Sequence, residues 1–541
     1  MTSNTSDSDS HQTQLDAIII GAGFAGIYAT YSLREKLGLK VKTFEAGGDV
    51  GGTWYWNRYP GARCDIESYH YSYSFSEELQ QEWQWSERFA AQPEILAYLN
   101  HVADRFDLRN SMVMNTRIVG AKFDEAACHW VVDTDDGNTQ TARYLVSGAG
   151  VLSASTLPDV EGINDFSGAV YLTAKWPQQE IDFSGKRVAV IGTGASGIQV
   201  ITEVAKQAKH LTVFQRTPNY AAPIRNRPNT EQDEREFKQH YPQIRRDARN
   251  SFLGVNYPGM LPSALAVSDE ERHQQYERAY AAGGFEMFAG SFGDLITNQE
   301  ANDTAAEFMR EKIRQRVDDP AVADMLTPKN YAYVTKRPPL ETDYYETYNR
   351  SNVTLVDIRA TPIEEITPNG IRTSAGDTEL DVIIYATGFD AMTGPLLRIN
   401  PRGESINLAD HWAEGPRTNL GLTVHGLPNF FAITGPQSPS VLYNMPLAIE
   451  DHIDWLTDCI SYMQEHGYQR IESTAEAEDN WVRHSAEIAD ATLFTGTDSW
   501  YIGANIPGKP RVFLVYVGGA ANYRQICAEV AQKGYEGFLL S

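Results

Sequence analysis

Cysteine is scarce in these 541 residues: four stand scattered at Cys64, Cys128, Cys459 and Cys527, with no Cys-x-x-Cys pair. That excludes a redox dithiol and a cysteine-built zinc site. The 12 histidines include no His-x3-His pair and have no acids clustered beside them, so no metal site is expected. Positive charge is short as well. Lys and Arg number 46 against 71 Asp and Glu, a net charge of −25. Without a broad cationic track, nucleic acid is excluded as a partner. Long apolar runs are missing too. The longest weakly polar stretch, residues 17–29, is broken by Gly21, Gly23 and Gly26. It falls short of the ~20 residues that span a bilayer, so no membrane association is expected. The first residues carry no basic segment followed by an apolar core, so no secretory signal is read and cytoplasmic residence is expected. Residues 1–14 are polar after Met1 and are expected to form a disordered tail.

What the chain does have is glycine in two matched patterns. Gly21-x-Gly23-x-x-Gly26 follows the apolar run 17–20, and Gly192-x-Gly194-x-x-Gly197 follows the run 188–191. In a strand–turn–helix unit the first glycine turns tightly, the second lets backbone approach a pyrophosphate, and the third packs helix on strand. The pyrophosphate then lies on the amide-rich helix N-terminus. Each pattern closes 24 residues after its first glycine (45 − 21 and 216 − 192), but on different side chains, Glu45 and Arg216. A carboxylate there accepts from a free ribose 2′-hydroxyl, whereas a guanidinium pairs with a 2′-phosphate. The first groove is therefore expected to take an adenine dinucleotide with a free ribose. The second is expected to take NADP(H), with Thr217 beside Arg216.

These units define an α/β fold of two Rossmann-like dinucleotide-binding domains with a mainly helical insertion. The first domain is expected over residues 15–151, with a helix over 27–37; its last strand runs into Ser147-Gly148-Ala149-Gly150, a crossing point. The second domain is expected over 152–218. Residues 219–336 form the insertion, because 230–252 and 269–282 are charged and poor in β-branched residues. The second domain resumes over 337–380, with closing strands at 353–359 and 371–373. The apolar run 382–385 leads into Ala386-Thr387-Gly388, mirroring the first crossing, and residues 381–541 are assigned to the first domain. No internal repeat is found beyond the two fingerprints.

The segment Gly51-Gly52-Thr53-Trp54-x4-Tyr59-Pro60-Gly61-x3-Asp65 resembles type I Baeyer–Villiger monooxygenases at every defined position. So do Lys336-Arg337, the Ala386-Thr387-Gly388 return, Gly435-Pro436-Gln437-Ser438-Pro439-Ser440, and Trp500-Tyr501 with Asn505-Ile506-Pro507-Gly508-Lys509. The resemblance covers nearly the whole chain after residue 14. It implies FAD in the first groove and NADPH in the second, with O2 and a ketone as substrates and an ester or lactone as product. The reaction it implies runs through a flavin C4a-peroxide and a Criegee adduct. Arg337 stands where the family places its catalytic arginine, and Asp65 where a charged pair would orient it. Gly52, Thr53, Trp54 and Asp65 are expected beside the flavin, and Gly388 at the domain return. Lys336 is expected to join Arg216 and Thr217 at the 2′-phosphate, and Trp500 to lie over NADP on a loop.

One position departs from the family's long signature Phe-x-Gly-x3-His-x3-Trp-Pro. Here it reads Phe166, Gly168, Leu172, Trp176 and Pro177, with leucine in the histidine position. The family carries this stretch at the join of the two nucleotide domains, so the change is expected to touch domain coupling or rate rather than reaction type. Two other readings stay open from sequence. One is a related flavin monooxygenase oxidising amine nitrogen or sulfide sulfur; the other is an NADPH oxidase uncoupled from oxygenation. Monomer and homodimer are equally compatible with the sequence.

Overall fold

In a computed structural model, residues 15–541 apart from Asn256 are described; the tail expected at 1–14 lies outside them. The apolar tetrad ending at Ile20 is buried as the middle of a seven-stranded sheet. Leu15–Ile20 lies between the parallel strands Val41–Phe44 and Thr139–Ser147. Met112–Val113 extends one edge, and the antiparallel pair His129–Thr134 and Ile118–Asp124 extends the other. Phe430–Ala432 returns from far along the chain to pair parallel with Thr139–Ser147. The helix expected over 27–37 is present but not uniform: an α-helix over Phe24–Tyr31 widens into a π turn over Ser32–Lys36.

The second sheet is entirely parallel, in the order Val353–Asp357, His210–Gln215, Arg187–Ile191, Val382–Tyr385 and Ala169–Leu172. All-parallel strands are covered on both faces, and the four residues of Val382–Tyr385 are all buried. This corrects the boundary expected at residue 381. Val382–Tyr385 is an inner strand of the second sheet, and Asp381 is tied to Arg187 at 2.9 Å, so the chain leaves this domain only after Tyr385. The expected closing strand at 371–373 is present and packs on the second sheet through Ile371, but lies outside its parallel order. Gly370–Thr373 forms the centre of a separate antiparallel meander with Ile363–Thr367 and Gly376–Glu379.

The insertion is built on the helices Glu231–Arg249, Asp269–Ala282, Gln299–Arg316 and Pro320–Leu326. Thr230 with Asp233 and Ser268 with Glu271 close capping boxes at the first two, each satisfying amides that a helix start leaves open. Entry and exit are tied where Ala222–Pro223 pairs with Leu340–Glu341. The two crossings between nucleotide domains lie side by side. Met392 N–H donates to Val151 O at 2.9 Å, Asp390 N–H to Ala154 O at 2.8 Å, and Thr156 N–H to Gly388 O at 3.2 Å.

Candidate functional site

Both glycine turns leave no room for side chains. A Cβ on Gly26 would sit 1.7 Å from Gly21 O, and one on Gly197 would sit 2.2 Å from Gly192 O. Gly21 and Gly192 take φ of +90° and +106°, a region that favours glycine. Gly194 differs: a Cβ there meets nothing within 4 Å, so its backbone faces open space. The helices that follow, Phe24–Tyr31 and Ala195–Gln207, begin with no side-chain cap and no acid in the first turn. Their first amides are thus available to an anion.

The Gly51-Gly52 segment docks straight onto the first turn. Gly51 N–H donates to Ala22 O at 2.9 Å, and a Cβ on Gly52 would lie 2.8 Å from Gly23 Cα. Thr53 is exposed beyond it, while Trp54 is buried and donates its indole N–H to the Tyr71 hydroxyl at 3.2 Å. Glu45, at 5% exposure, closes the groove. Its carboxylate accepts from Ala22 N–H at 2.8 Å and Gly47 N–H at 2.7 Å. Each oxygen keeps a lone pair for a further donor.

At the second groove the strand ends gather cations. Arg216 is exposed just past His210–Gln215, and Thr217 accepts from the Arg359 guanidinium at 3.0 Å. Lys336, 4.9 Å over the Tyr331 ring, has its ammonium pKa lowered to about 8. Burial is the main cause; the charges of Arg216 and Arg359 add to it, against Asp498. Lys336 thus stands beside two guanidiniums that disfavour its charge, a grouping suited to an anion. Sequence reasoning missed Arg359. Its signal is positional: Val353–Asp357 runs parallel beside His210–Gln215, so the residues after both strands emerge together.

Between the grooves stands Arg337. Its Nε donates to Asp65 Oδ2 at 2.8 Å and its Nη1 to Val441 O at 2.8 Å, while the guanidinium lies 4.8 Å over Phe285. Burial works against its charge, but Asp65 more than reverses this, and the net shift is upward. The side chain keeps 27% exposure and lines a small cleft of about 30 Å³. The walls are largely apolar, among them Ile66, Val255, Phe285, Leu442 and Phe494. Tyr501, named in the sequence only as part of the family motif and given no role there, is buried beside Arg337. Burial pushes its hydroxyl up to about 12, with Arg337 pulling the other way. Trp500 is half-buried 4.3 Å from Tyr501, in the turn Trp500–Ile502. Gly388, at φ +81°, sits in the return crossing rather than in either glycine turn.

The signature stretch lies at the domain join. Trp176 N–H donates to Trp56 O at 3.1 Å, and Tyr59 donates its hydroxyl to Gln199 of the second domain's helix at 2.8 Å. Leu172 ends its strand opposite Tyr385, packed into an apolar cluster with Phe214 and Tyr385. Tyr171 points to the other face, against Trp176 and Phe183, so it cannot stand in for position 172. Among the described residues no group of three or more His, Cys, Asp or Glu gathers to hold a metal, and no helix is long and apolar enough to cross a membrane.

A family model described as pyridine nucleotide-disulphide oxidoreductase matches residues 18–286. A Baeyer–Villiger monooxygenase of Pseudooceanicola batsensis is 47% identical over 524 residues, covering 96% of this chain and 95% of that one. This chain belongs to the Baeyer–Villiger monooxygenase family. A cyclohexanone 1,2-monooxygenase of Acinetobacter sp. is 44% identical, covering 98% and 97% of the two chains. A solved structure of an oxidized steroid monooxygenase bound to NADP superposes with a TM-score of 0.93 at 50% identity, covering 98% of this chain and 99% of that one. The likeness to disulphide oxidoreductases is one of nucleotide-binding architecture. The four thiols here are free, and Cys64, Cys459 and Cys527 are buried.

Proposed function

We propose that this Baeyer–Villiger family member uses FAD, NADPH and O2 to insert one oxygen atom into a ketone, giving an ester or lactone. The observation that carries the reading is Arg337, a permanent cation paired with Asp65, in a mainly apolar cleft between two nucleotide grooves. When bound, the cofactors supply the hydride and the activated oxygen. The protein supplies grip, charge and dryness.

Gly21, Gly23 and Gly26 let backbone close on the FAD pyrophosphate, Glu45 accepts from the ribose, and Gly52, Thr53 and Trp54 border the flavin. Gly192, Gly194 and Gly197 serve the NADP(H) pyrophosphate in the same way. Arg216, Thr217 and Lys336, with Arg359, hold the 2′-phosphate. Gly388 carries the return past the nucleotides, and Trp500 covers NADP(H) beside Tyr501. Arg337 cannot lose its proton, so it stabilises negative charge developing on oxygen throughout the cycle. Asp65 and the Val441 carbonyl fix its direction, and the apolar walls keep water from the reaction. The free thiols fit a reducing compartment, and the protein is read as cytoplasmic, working as a monomer or homodimer.

The test is a panel of ketones, amines and sulfides given to the purified yellow protein with NADPH, scored for oxygenated product and for hydrogen peroxide. Ester matching NADPH consumption is expected. Exclusive N- or S-oxidation, or peroxide alone, would overturn the reading.

A further inference from the structure

Outside the machinery above, one hydroxyl joins the two nucleotide domains at the loop that follows Glu45. Tyr55 lies in the short helix Thr53–Trp56. Its hydroxyl accepts from the backbone N–H of Gly48 at 3.0 Å and from the side-chain amide of Gln178 at 2.9 Å. The preceding residue, Gly47, donates its N–H to Glu45 Oε1 at 2.7 Å. One run of contacts therefore leads from Gln178 to the carboxylate that closes the first groove. The ring presses on the same loop, since a Cβ on Gly47 would lie 2.8 Å from Tyr55 Cε1. Arg58 covers the ring at 5.0 Å. Gln178 belongs to the segment entering the second domain, just past the Trp176 amide held by Trp56 O at 3.1 Å.

We propose that Tyr55 is a positioning residue that locks the loop 45–48, and that Gln178 makes this lock depend on the second domain. Filling of the NADP(H) groove and retention of FAD are then coupled. The proposal rests on the assignment of FAD to the first groove. NADP(H) is gripped by the second domain, yet its reactive end must reach the flavin in the first. Its binding favours the arrangement in which Gln178 meets Tyr55, and that preference is what shifts the equilibrium. Coupling of this kind is reciprocal, so either cofactor tightens the other by the same factor. One hydrogen bond corresponds to about three- to tenfold in a dissociation constant.

The experiment titrates apoprotein with FAD, with and without saturating NADP+, following the change in flavin fluorescence on binding. In the native protein NADP+ should tighten FAD by about three- to tenfold. In Tyr55→Phe and in Gln178→Ala that factor should fall to about one, with both cofactors still bound. Tyr55→Phe should also weaken FAD in the absence of NADP+, whereas Gln178→Ala should not. An NADP+ effect equal in native protein and both variants, or absent from the native protein, overturns the proposal. Gln178 is exposed, so its variant carries the test alone if Tyr55→Phe does not fold. Glu45→Gln tests the site itself: undiminished FAD affinity there would remove the groove assignment and the proposal with it.

Discussion

The Arg359 guanidinium meets the Thr217 hydroxyl at 3.0 Å, joining the ends of two parallel strands beside Arg216. A charged hydrogen bond contributes about 1.5–3 kcal/mol. Arg359→Ala should therefore lower the NADPH-over-NADH ratio of kcat/KM by about tenfold or more, as should Arg216→Ala. An unchanged ratio in either variant would remove that residue from the phosphate site.

Lys336 titrates near pH 8 because burial and two neighbouring arginines disfavour its charge. A bound 2′-phosphate favours the charged form and raises that value. Binding therefore takes up a proton, and NADP+ affinity should be full below about pH 8 and decline as pH rises past it. NAD+, lacking the phosphate, should show no such decline. Calorimetric titrations from pH 6.5 to 9.5 check both, and parallel profiles for the two nucleotides would refute the assignment.

Removing Arg337 separates the two half-reactions. Arg337→Ala should leave flavin reduction by NADPH largely intact and cut ester formation by at least a few hundredfold, about 3–4 kcal/mol of lost charge stabilisation. Stopped-flow absorbance reads the first half and product analysis the second. An Arg337→Ala protein that still oxygenates ketones would place the catalytic cation elsewhere.

Leu172→His restores the family's residue at the last position of a strand paired with Tyr385, one residue before the chain turns into its return crossing. The expected change is in ester formed per NADPH consumed, with the same product. If NADPH oxidation, oxygen use and ester yield all stay as they were, position 172 does not couple the domains.

Glu450 is 1% exposed and accepts from the amides of Ser74 at 2.5 Å and Phe75 at 3.0 Å, with Arg249 at 3.3 Å. Arg245, itself buried, feels the same carboxylate. Glu450→Ala leaves these donors and charges uncompensated, which costs about 3–5 kcal/mol for a buried pair. Urea unfolding should show a lower midpoint and a loss of unfolding free energy of that size; a loss under about 1 kcal/mol would mean the network relaxes freely.

The parts of this molecule legible in sequence are those set by local chain geometry. The two glycine turns, the helices they start, and Glu45 and Arg216 at the ends of the following strands all depend on spacing within about 30 residues. Arg337 and Asp65 are 272 residues apart, and only the family motif linked them before the structure brought them to 2.8 Å. Arg359 was missed because its place depends on which strand lies beside His210–Gln215, a non-local pairing. The boundary at 381 failed for a related reason. A buried parallel strand such as Val382–Tyr385 reads as a plain apolar run whichever sheet it joins. Gly370–Thr373 was likewise recognisable as a strand, yet nothing in its four residues names its partners.

The paired crossings carry a mechanical consequence. Two covalent tethers linked by rungs at Val151, Ala154 and Gly388 act as one ribbon. A ribbon of this kind lets one nucleotide domain swivel against the other while resisting their separation.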